Sequence, residues 1–356
     1  MRYISERINE YDANLFTNEL VLASKLLGVL EAKIANYQFN GIIIPMLHKK
    51  EAISSMYIEG TQTTISDVFE NEVKSSSFEN KVMLEVKNHT NSLIYGVDVL
   101  RVEGFSNDFI KKIHGLMLKN IVSPKKEASL GKYKEKDNYI VNSVGTVVFT
   151  PPSHTETQKY MDELIAFMND TTDDINPLIK AAISHAQFES IHPFEDGNGR
   201  VGRLLVSLYL FKAKVINFPF FYLSEAISQD KAVYYNQLTG TRIGDYNSWI
   251  KFFLQKIIVQ AQNHIKYIDD LNNLYLRTKA KLTSNINSPK YDLILESLFT
   301  QPILTSSYLA ERLGVSAGQA NRYLATMEET SILHGDDRKR NRRFYFSELL
   351  NLAERA

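Results

Sequence analysis

The chain has 356 residues, of which 44% are hydrophobic and 23% charged, ordinary values for a soluble globular protein with material for two or three domains. Lys+Arg and Asp+Glu both total 41, so net charge argues neither for nor against a nucleic-acid partner. The absence of cysteine excludes disulfides, thiolate metal sites and a cysteine nucleophile.

The N-terminal residues 1–16 lack the apolar core of a secretory signal. The most apolar short run, residues 41–47, is interrupted by Pro45 and is too short to span a bilayer. The expectation is a soluble, cytoplasmic protein without a membrane partner. In residues 18–35, Leu20, Leu22, Leu26, Leu27, Leu30 and Ile34 fall at helical spacing. A second helix is predicted over about 48–58, stopping at Gly60. Two more are predicted over 81–102 and 107–118. Residues 138–150 read as strand, turn and strand, the turn being Asn142-Ser143-Val144-Gly145, and Pro151-Pro152 end the second strand. Helices resume over 155–168, 177–191, 201–214 and 229–263, with a break near 240–246. Residues 283–289 (TSNINSP) read as a polar linker before a C-terminal unit.

The stretch His192-Pro-Phe-Glu-Asp-Gly-Asn-Gly-Arg200-Val-Gly-Arg203 lies between two apolar helical segments. Gly197 and Gly199 permit backbone conformations closed to other residues, and successive amides there can form an anion nest. The next helix aims its N-terminus at the same point, and Arg200 and Arg203 suit phosphate oxygens. Asp196 is a hard ligand suited to Mg²⁺ on phosphates, and His192 can accept a proton near neutrality. Together they point to attack by a hydroxyl on a nucleotide phosphate. The plainer alternative is a tight turn with solvated charges. His185, two turns before His192, reads as a core histidine rather than a metal ligand.

His192 to Arg203 resembles the Fic motif, H-P-F-x-[D/E]-G-N-G-R-x-x-R, and matches every fixed position. The resemblance implies a mainly α fold: a Fic-type helical core with a β-hairpin flap, plus a C-terminal winged helix-turn-helix. It implies a protein adenylyltransferase that moves AMP from ATP to a Ser, Thr or Tyr hydroxyl of a target protein. By that analogy His192 is the base and Asp196 holds Mg²⁺. Gly197, Asn198 and Gly199 cradle the α-phosphate region, and Arg200 and Arg203 hold the β- and γ-phosphates. The hairpin resembles the family's flap, onto which a target peptide adds as a strand, although a plain structural ribbon is the alternative. Tyr235, of the pair Tyr234-Tyr235, resembles an aromatic base contact. Arg242 stands near where relatives carry an amide side chain, which leaves the base pocket open.

Ser55-Met-Tyr-Ile-Glu59-Gly60 resembles the family's inhibitory helix, [S/T]-x-x-x-E-[G/N]. There Glu59 would pair with Arg203 and deny it to the γ-phosphate, with Ser55 opening the motif. A carboxylate at a helix C-terminus faces the negative dipole end and asks for a nearby cation, a solvated glutamate being the alternative.

The expected organisation is an N-terminal helical region (1–100) with its inhibitory helix at about 48–60, a catalytic core (101–280) and a winged helix (290–356). In the last, residues 305–314 and 316–327 fit a helix-turn-helix with Gly314 at the turn. A hairpin with the tip DDRKRNRR follows at 332–346. DNA could bind through 305–346, or the unit could dock protein. Alternatives to AMP transfer are a nucleotide-sensing DNA-binding regulator, transfer of another nucleotide, or removal of AMP. A homo-oligomer stays open.

Overall fold

The computed structural model describes residues 11–36, 40–73, 81–141, 145–338 and 340–354. In chain order these form α1 (Thr17–Ala35), α2 (Asn40–Ile58), α3 (Ile65–Val73), α4 (Lys81–Leu100), α5 (Asn107–Met117), β1 (Ile140–Val141) and β2 (Val147–Phe149). Then come α6 (His154–Asn169), α7 (Pro177–Ile191), α8 (Asn198–Lys212), α9 (Ser224–Gln229), α10 (Lys231–Arg242) and α11 (Tyr246–Asn285). The chain closes with α12 (Tyr291–Thr300), β3 (Ile303–Thr305), α13 (Ser306–Leu313), α14 (Ala317–Glu329), β4 (His334–Gly335), β5 (Arg343–Tyr345) and α15 (Ser347–Glu354). Among the described residues no helix is long and apolar enough to cross a membrane. The residues read for a secretory signal lie largely outside the described ones, as do Lys339 of the arginine-rich tip and turn residues 142–144.

Two compact units divide the chain, and they do not follow chain order. One takes in residues 51–62 and 84–262 together with the chain up to residue 32. The other takes in 33–50, 63–83 and 263 onward.

The first unit is built around α7. Leu178 to Ile191 are all buried, the polar Lys180, Ser184, His185, Gln187, Glu189 and Ser190 with the apolar residues, so α7 is enclosed on every side; Pro177 at the first helical position with Asn176 capping Leu178 N–H starts it. α8 and α6 pack on α7, with α10 beside it and α5 against α6 and α8. Gly202 of α8 allows the closest approach: a Cβ there would overlap the Glu189 carboxyl and meet Phe188, both on α7. Trp249 Nε1 donates to the Ala182 carbonyl at 2.8 Å, fixing the start of α11 on the same helix. β1 and β2 pair antiparallel, Ile140 with Phe149 and Val141 with Val147. The hairpin is shorter than the predicted 138–141 and 146–150, and its register is irregular between Ile140 and Val141.

In the second unit β3, β5 and β4 form an antiparallel sheet in that order, with Leu304 opposite Phe344 and Gly335 opposite Phe344. α12, α13 and α14 follow one another in contact, and Gly314 between the last two has φ 60. α3 packs on β3, and α15 packs on α3. Arg343 is paired with Glu70 of α3 at 3.2 Å.

Three expectations about helix extent are corrected. α2 starts at Asn40 rather than 48 and runs through Pro45. Pro45 stands in the second turn, where its missing N–H and ring disturb only the carbonyl one turn back, near the helix start. The polar run Thr283-Ser284-Asn285 completes α11 instead of opening a linker, and the break spans only 286–290. The break predicted near 240–246 narrows to Ile243, Gly244 and Asp245.

Candidate active site

The motif is the loop between α7 and α8. His192 caps the C-terminus of α7 in a left-handed conformation, φ 49, its N–H bonded to the Phe188 carbonyl at 2.9 Å. Such a φ is costly for a non-glycine residue and persists only when its surroundings impose it. The backbone around it is bonded by residues 134–138. Lys134 N–H donates to Pro193 O at 2.8 Å, and Lys134 Nζ donates to Ile191 O at 3.2 Å. Asn138 Nδ2 donates to both His192 O and Phe194 O at 3.0 Å.

The imidazole Nδ1 lies 3.4 Å from the Glu189 carbonyl, so the proton belongs on Nδ1 and the Nε2 lone pair is left for an incoming proton. Burial lowers the His192 pKa to about 4, with Lys134 and Arg242 adding to the effect and Glu59 and the Glu189 carbonyl opposing it. The ring is therefore neutral at neutral pH.

The loop is held from below. Phe194 is fully buried, and His114 of α5 stacks on its ring at 3.8 Å between centroids and 3° between planes. His114 Nδ1 accepts Gly131 N–H at 3.0 Å, which leaves Nε2–H to donate to Asp196 O at 3.1 Å. Burial pushes His114 down to about 4, consistent with this neutral tautomer. Asn198 closes the loop on itself, its Oδ1 accepting Phe194 N–H at 2.9 Å and its Nδ2 donating to Phe194 O at 2.8 Å.

Gly197 has φ 74 and caps α8; Leu118 packs where its Cβ would be. The first intrahelical bond is from Val201 N–H to Gly197 O, so the amides of residues 198–200 lie at the free, positive end of the helix. Asp196 Oδ1 accepts Gly197 N–H at 2.7 Å, and Lys126 Nζ reaches Oδ2 at 3.1 Å. Burial raises the Asp196 pKa, but Lys126, Arg200 and the Gly197 amide outweigh it and hold the carboxyl ionised. Arg200 Nη2 stands 3.6 Å from Asp196 Oδ1, and its Nε is buried without a hydrogen-bond partner.

Arg203 is 4% exposed, and Nε and Nη2 of its guanidinium are bonded by Ser55 of α2 and by Glu59, the residue that follows α2. Nη2 donates to Glu59 Oε1 at 2.8 Å and to Ser55 O at 3.0 Å, and Nε donates to Ser55 Oγ at 3.1 Å. Burial pushes the Glu59 carboxyl up, yet Arg203, Arg200 and Lys231 hold it below its ordinary value. Gly199 is required beneath this pair, since a Cβ there would run into the Glu59 carboxylate and Arg203 Nη1. The pairing expected from the sequence is thus present.

Tyr235 is 43% exposed beside the buried Tyr234, whose hydroxyl meets His185 Nε2 at 2.9 Å. His185 lies in the core as expected, and among the described residues no cluster of three or more His, Cys, Asp or Glu could hold a metal. Arg242 packs its guanidinium over Phe149 of β2 at 4.0 Å, so that it ties α10 to the hairpin. Sequence reasoning missed His114, Lys134 and Asn138: each is isolated in its own segment and carries no spacing pattern.

Two family models match the chain, the Fic/DOC family over residues 104–210 and the Fic/DOC family N-terminal region over residues 17–98, together more than half its length. The chain is 30% identical over 118 residues to protein adenylyltransferase fic-1 of Caenorhabditis elegans, a match spanning 33% of this chain and 22% of that one. It is 29% identical over 145 residues to a probable protein adenylyltransferase of Aquifex aeolicus, 39% of this chain and 43% of the relative. It is 34% identical over 151 residues to a Fido domain-containing protein of Dictyostelium discoideum, 41% and 94%. The chain spans only 22% to 33% of the length of the adenylyltransferases it matches in Caenorhabditis elegans, Caenorhabditis briggsae and Nematostella vectensis. A Fic family protein of Desulfovibrio desulfuricans shares the fold with TM-score 0.60 at 19% identity, over 93% of this chain and 95% of that one. A Fic domain protein of Bacteroides thetaiotaomicron does so with TM-score 0.54 at 22% identity, over 68% and 97%. With the two models tiling residues 17–98 and 104–210 and the same fold in these structures, the chain belongs to the Fic/DOC family.

Proposed function

We propose that this chain is a protein adenylyltransferase, transferring AMP from ATP to a hydroxyl of a target protein and held back by Glu59. The observation that carries the reading is the opposition, across one short loop, of a neutral histidine with a free Nε2 and the open amide end of α8. A base and an anion cradle so placed suit in-line attack on a phosphate. The relatives named adenylyltransferases support ATP as the nucleotide donor.

In this mechanism the α-phosphate region sits on the amides of residues 198–200. His192 Nε2 takes the proton of the attacking hydroxyl. The oxygen–phosphorus bond forms as the bond between the α-phosphorus and its bridging oxygen breaks, and pyrophosphate leaves with the electron pair. Arg200 and, once freed, Arg203 neutralise the charge on the leaving phosphates. Mg²⁺ fits the site: Asp196 is an ionised, half-exposed carboxylate beside the cradle, and such an ion commonly takes one or two carboxylates plus phosphate oxygens. Bound there by Asp196, it would offset phosphate charge. The exposed Val141, Val147 and Val148 of the hairpin suit a target strand adding to its edge, and Tyr235 offers a ring to the base.

Glu59 and Ser55 occupy Arg203, so we read α2 as the inhibitory element. Residues 290–356 we read as a winged helix that docks protein rather than DNA. Its arginines are largely committed to carboxylates: Arg338 to Asp336, Arg342 to Glu328 and Arg343 to Glu70.

Intact masses of wild type, Glu59→Gly, His192→Ala and the double variant, each incubated with ATP and Mg²⁺, test the reading. An AMP adduct should rise in Glu59→Gly and vanish in the double variant. No adduct in any variant, with labelled ATP in cell lysate also blank, would overturn it.

A further inference from the structure

Four successive carbonyls carry the base-bearing end of α7, those of Ile191, His192, Pro193 and Phe194. Every one of them accepts a hydrogen bond from Lys134 or Asn138. The two side chains are joined in turn, Lys134 Nζ donating to Asn138 Oδ1 at 2.8 Å. Lys134 is 3% exposed, an unusual place for an ammonium with no carboxylate among the described residues bonded to it. Its two acceptors here are the Asn138 amide oxygen and the last carbonyl of α7, where the helix end is negative. Asn138 is used to capacity on this side, with Oδ1 taking the ammonium and Nδ2 bridging the carbonyls on either side of Pro193.

We infer that Lys134 and Asn138 are positioning residues for the base: they hold His192 in its left-handed conformation and tie that conformation to the root of the hairpin. β1 begins at Ile140, two residues beyond Asn138. A strand added to this hairpin therefore bears on the segment that clamps His192. Lys134 has a second effect, because its charge acts on the imidazole and disfavours the imidazolium. The other charged side chains acting on the ring are Arg242, in the same sense, and Glu59, in the opposite sense. Burial lowers Lys134 itself to about 8, Asp137 opposing, so it stays charged through the range in which His192 titrates.

This inference rests on the proposed adenylyl transfer for its kinetic consequence, and on the structure alone for its spectroscopic one. In the Glu59→Gly background, Asn138→Ala and Asn138→Asp should lower kcat about tenfold or more, since a displaced base loses its near-attack geometry. ATP affinity should stay within about twofold, because the cradle at residues 198–200 is not touched. Asn138→Asp keeps an acceptor for Lys134 and replaces the bridging NH₂ by a carboxylate oxygen that cannot donate to the two carbonyls, while Asn138→Ala removes the NH₂ without adding charge, so agreement between the two separates loss of the clamp from the effect of a new charge. Lys134→Met should raise the His192 pKa read by NMR titration while leaving it below the ordinary histidine value, since burial is the larger cause, and Lys134→Arg should restore it.

A kcat at the parent level in both Asn138 variants would overturn the positioning role. A His192 titration unmoved by Lys134→Met would overturn the electrostatic one. If the Glu59→Gly parent transfers no nucleotide, the functional proposal fails, and NMR of His192 still decides both roles, because it needs no activity: ring resonances in Asn138→Ala and Asn138→Asp identical to those of wild type would overturn the positioning role.

Discussion

The sharpest prediction concerns the Glu59–Arg203 contact. The ionic atoms stand 2.8 Å apart, with the Arg203 side chain 2% exposed and that of Glu59 37% exposed. With charge centres roughly 4 Å apart and an effective dielectric of about 20, the attraction is about 4 kcal/mol. Solvent reaching the glutamate side screens it to about 2 kcal/mol, in the range of a hydrogen bond to a charged group. In the proposed mechanism a γ-phosphate displaces Glu59 to reach Arg203, so removing Glu59 should favour the productive pose by that amount. The expected gain in Glu59→Gly is roughly 30-fold in self-modification rate at subsaturating ATP, read by intact mass.

The same substitution leaves a buried guanidinium with Ser55 as its remaining hydrogen-bond partner among the described residues, which costs stability. Without ATP the variant should melt a few degrees below wild type, and ATP should raise its Tm more than it raises that of wild type. A gain below twofold, or an equal ATP shift in both proteins, would refute the argument that Glu59 competes with the phosphate.

The rate of transfer should be flat from pH 6 to 8 and fall as pH drops through about 4, because the His192 pKa lies there and only the neutral ring accepts a proton; initial rates in Glu59→Gly check it. Burial pushes the Glu51 carboxyl up to about 7, opposed by bonds from Ser224 and the charge of Arg203 and assisted by Glu225. The folded state then holds a proton that the unfolded state releases near 4.5, so this contribution is full below 4.5 and is lost as pH rises through 7. Glu51→Gln should accordingly raise Tm at pH 8 and leave it unchanged at pH 4, by calorimetry. Gly202→Ala forces a methyl into Glu189 and Phe188 and should cost about 1–3 kcal/mol in urea unfolding. Asp196→Asn, or chelation of Mg²⁺ in Glu59→Gly, should lower transfer at least about 10²-fold while leaving Tm within a few degrees.

Legibility in the sequence followed the range of the interactions. The loop from His192 to Arg203 could be read because its parts are neighbours in the chain. A cap, two glycines, a helix start and two arginines three apart constrain one another locally, and the structure keeps them at one end of α7 and α8. The partner of Glu59 was also legible, through the motif that carries it. The extent of α2 and α11 was not, since Pro45 and the polar run 283–285 carry local propensities that the helices around them override. Nor were His114, Lys134 and Asn138. A lone histidine, lysine or asparagine shows no periodicity, and each acts on the motif from 50 or more residues away, through carbonyls that every residue possesses. The residue sequence alone determined what chemistry the loop can do. Only the tertiary structure decided what holds the base in place, because backbone carbonyls are anonymous in sequence and acquire partners only when distant segments are packed together.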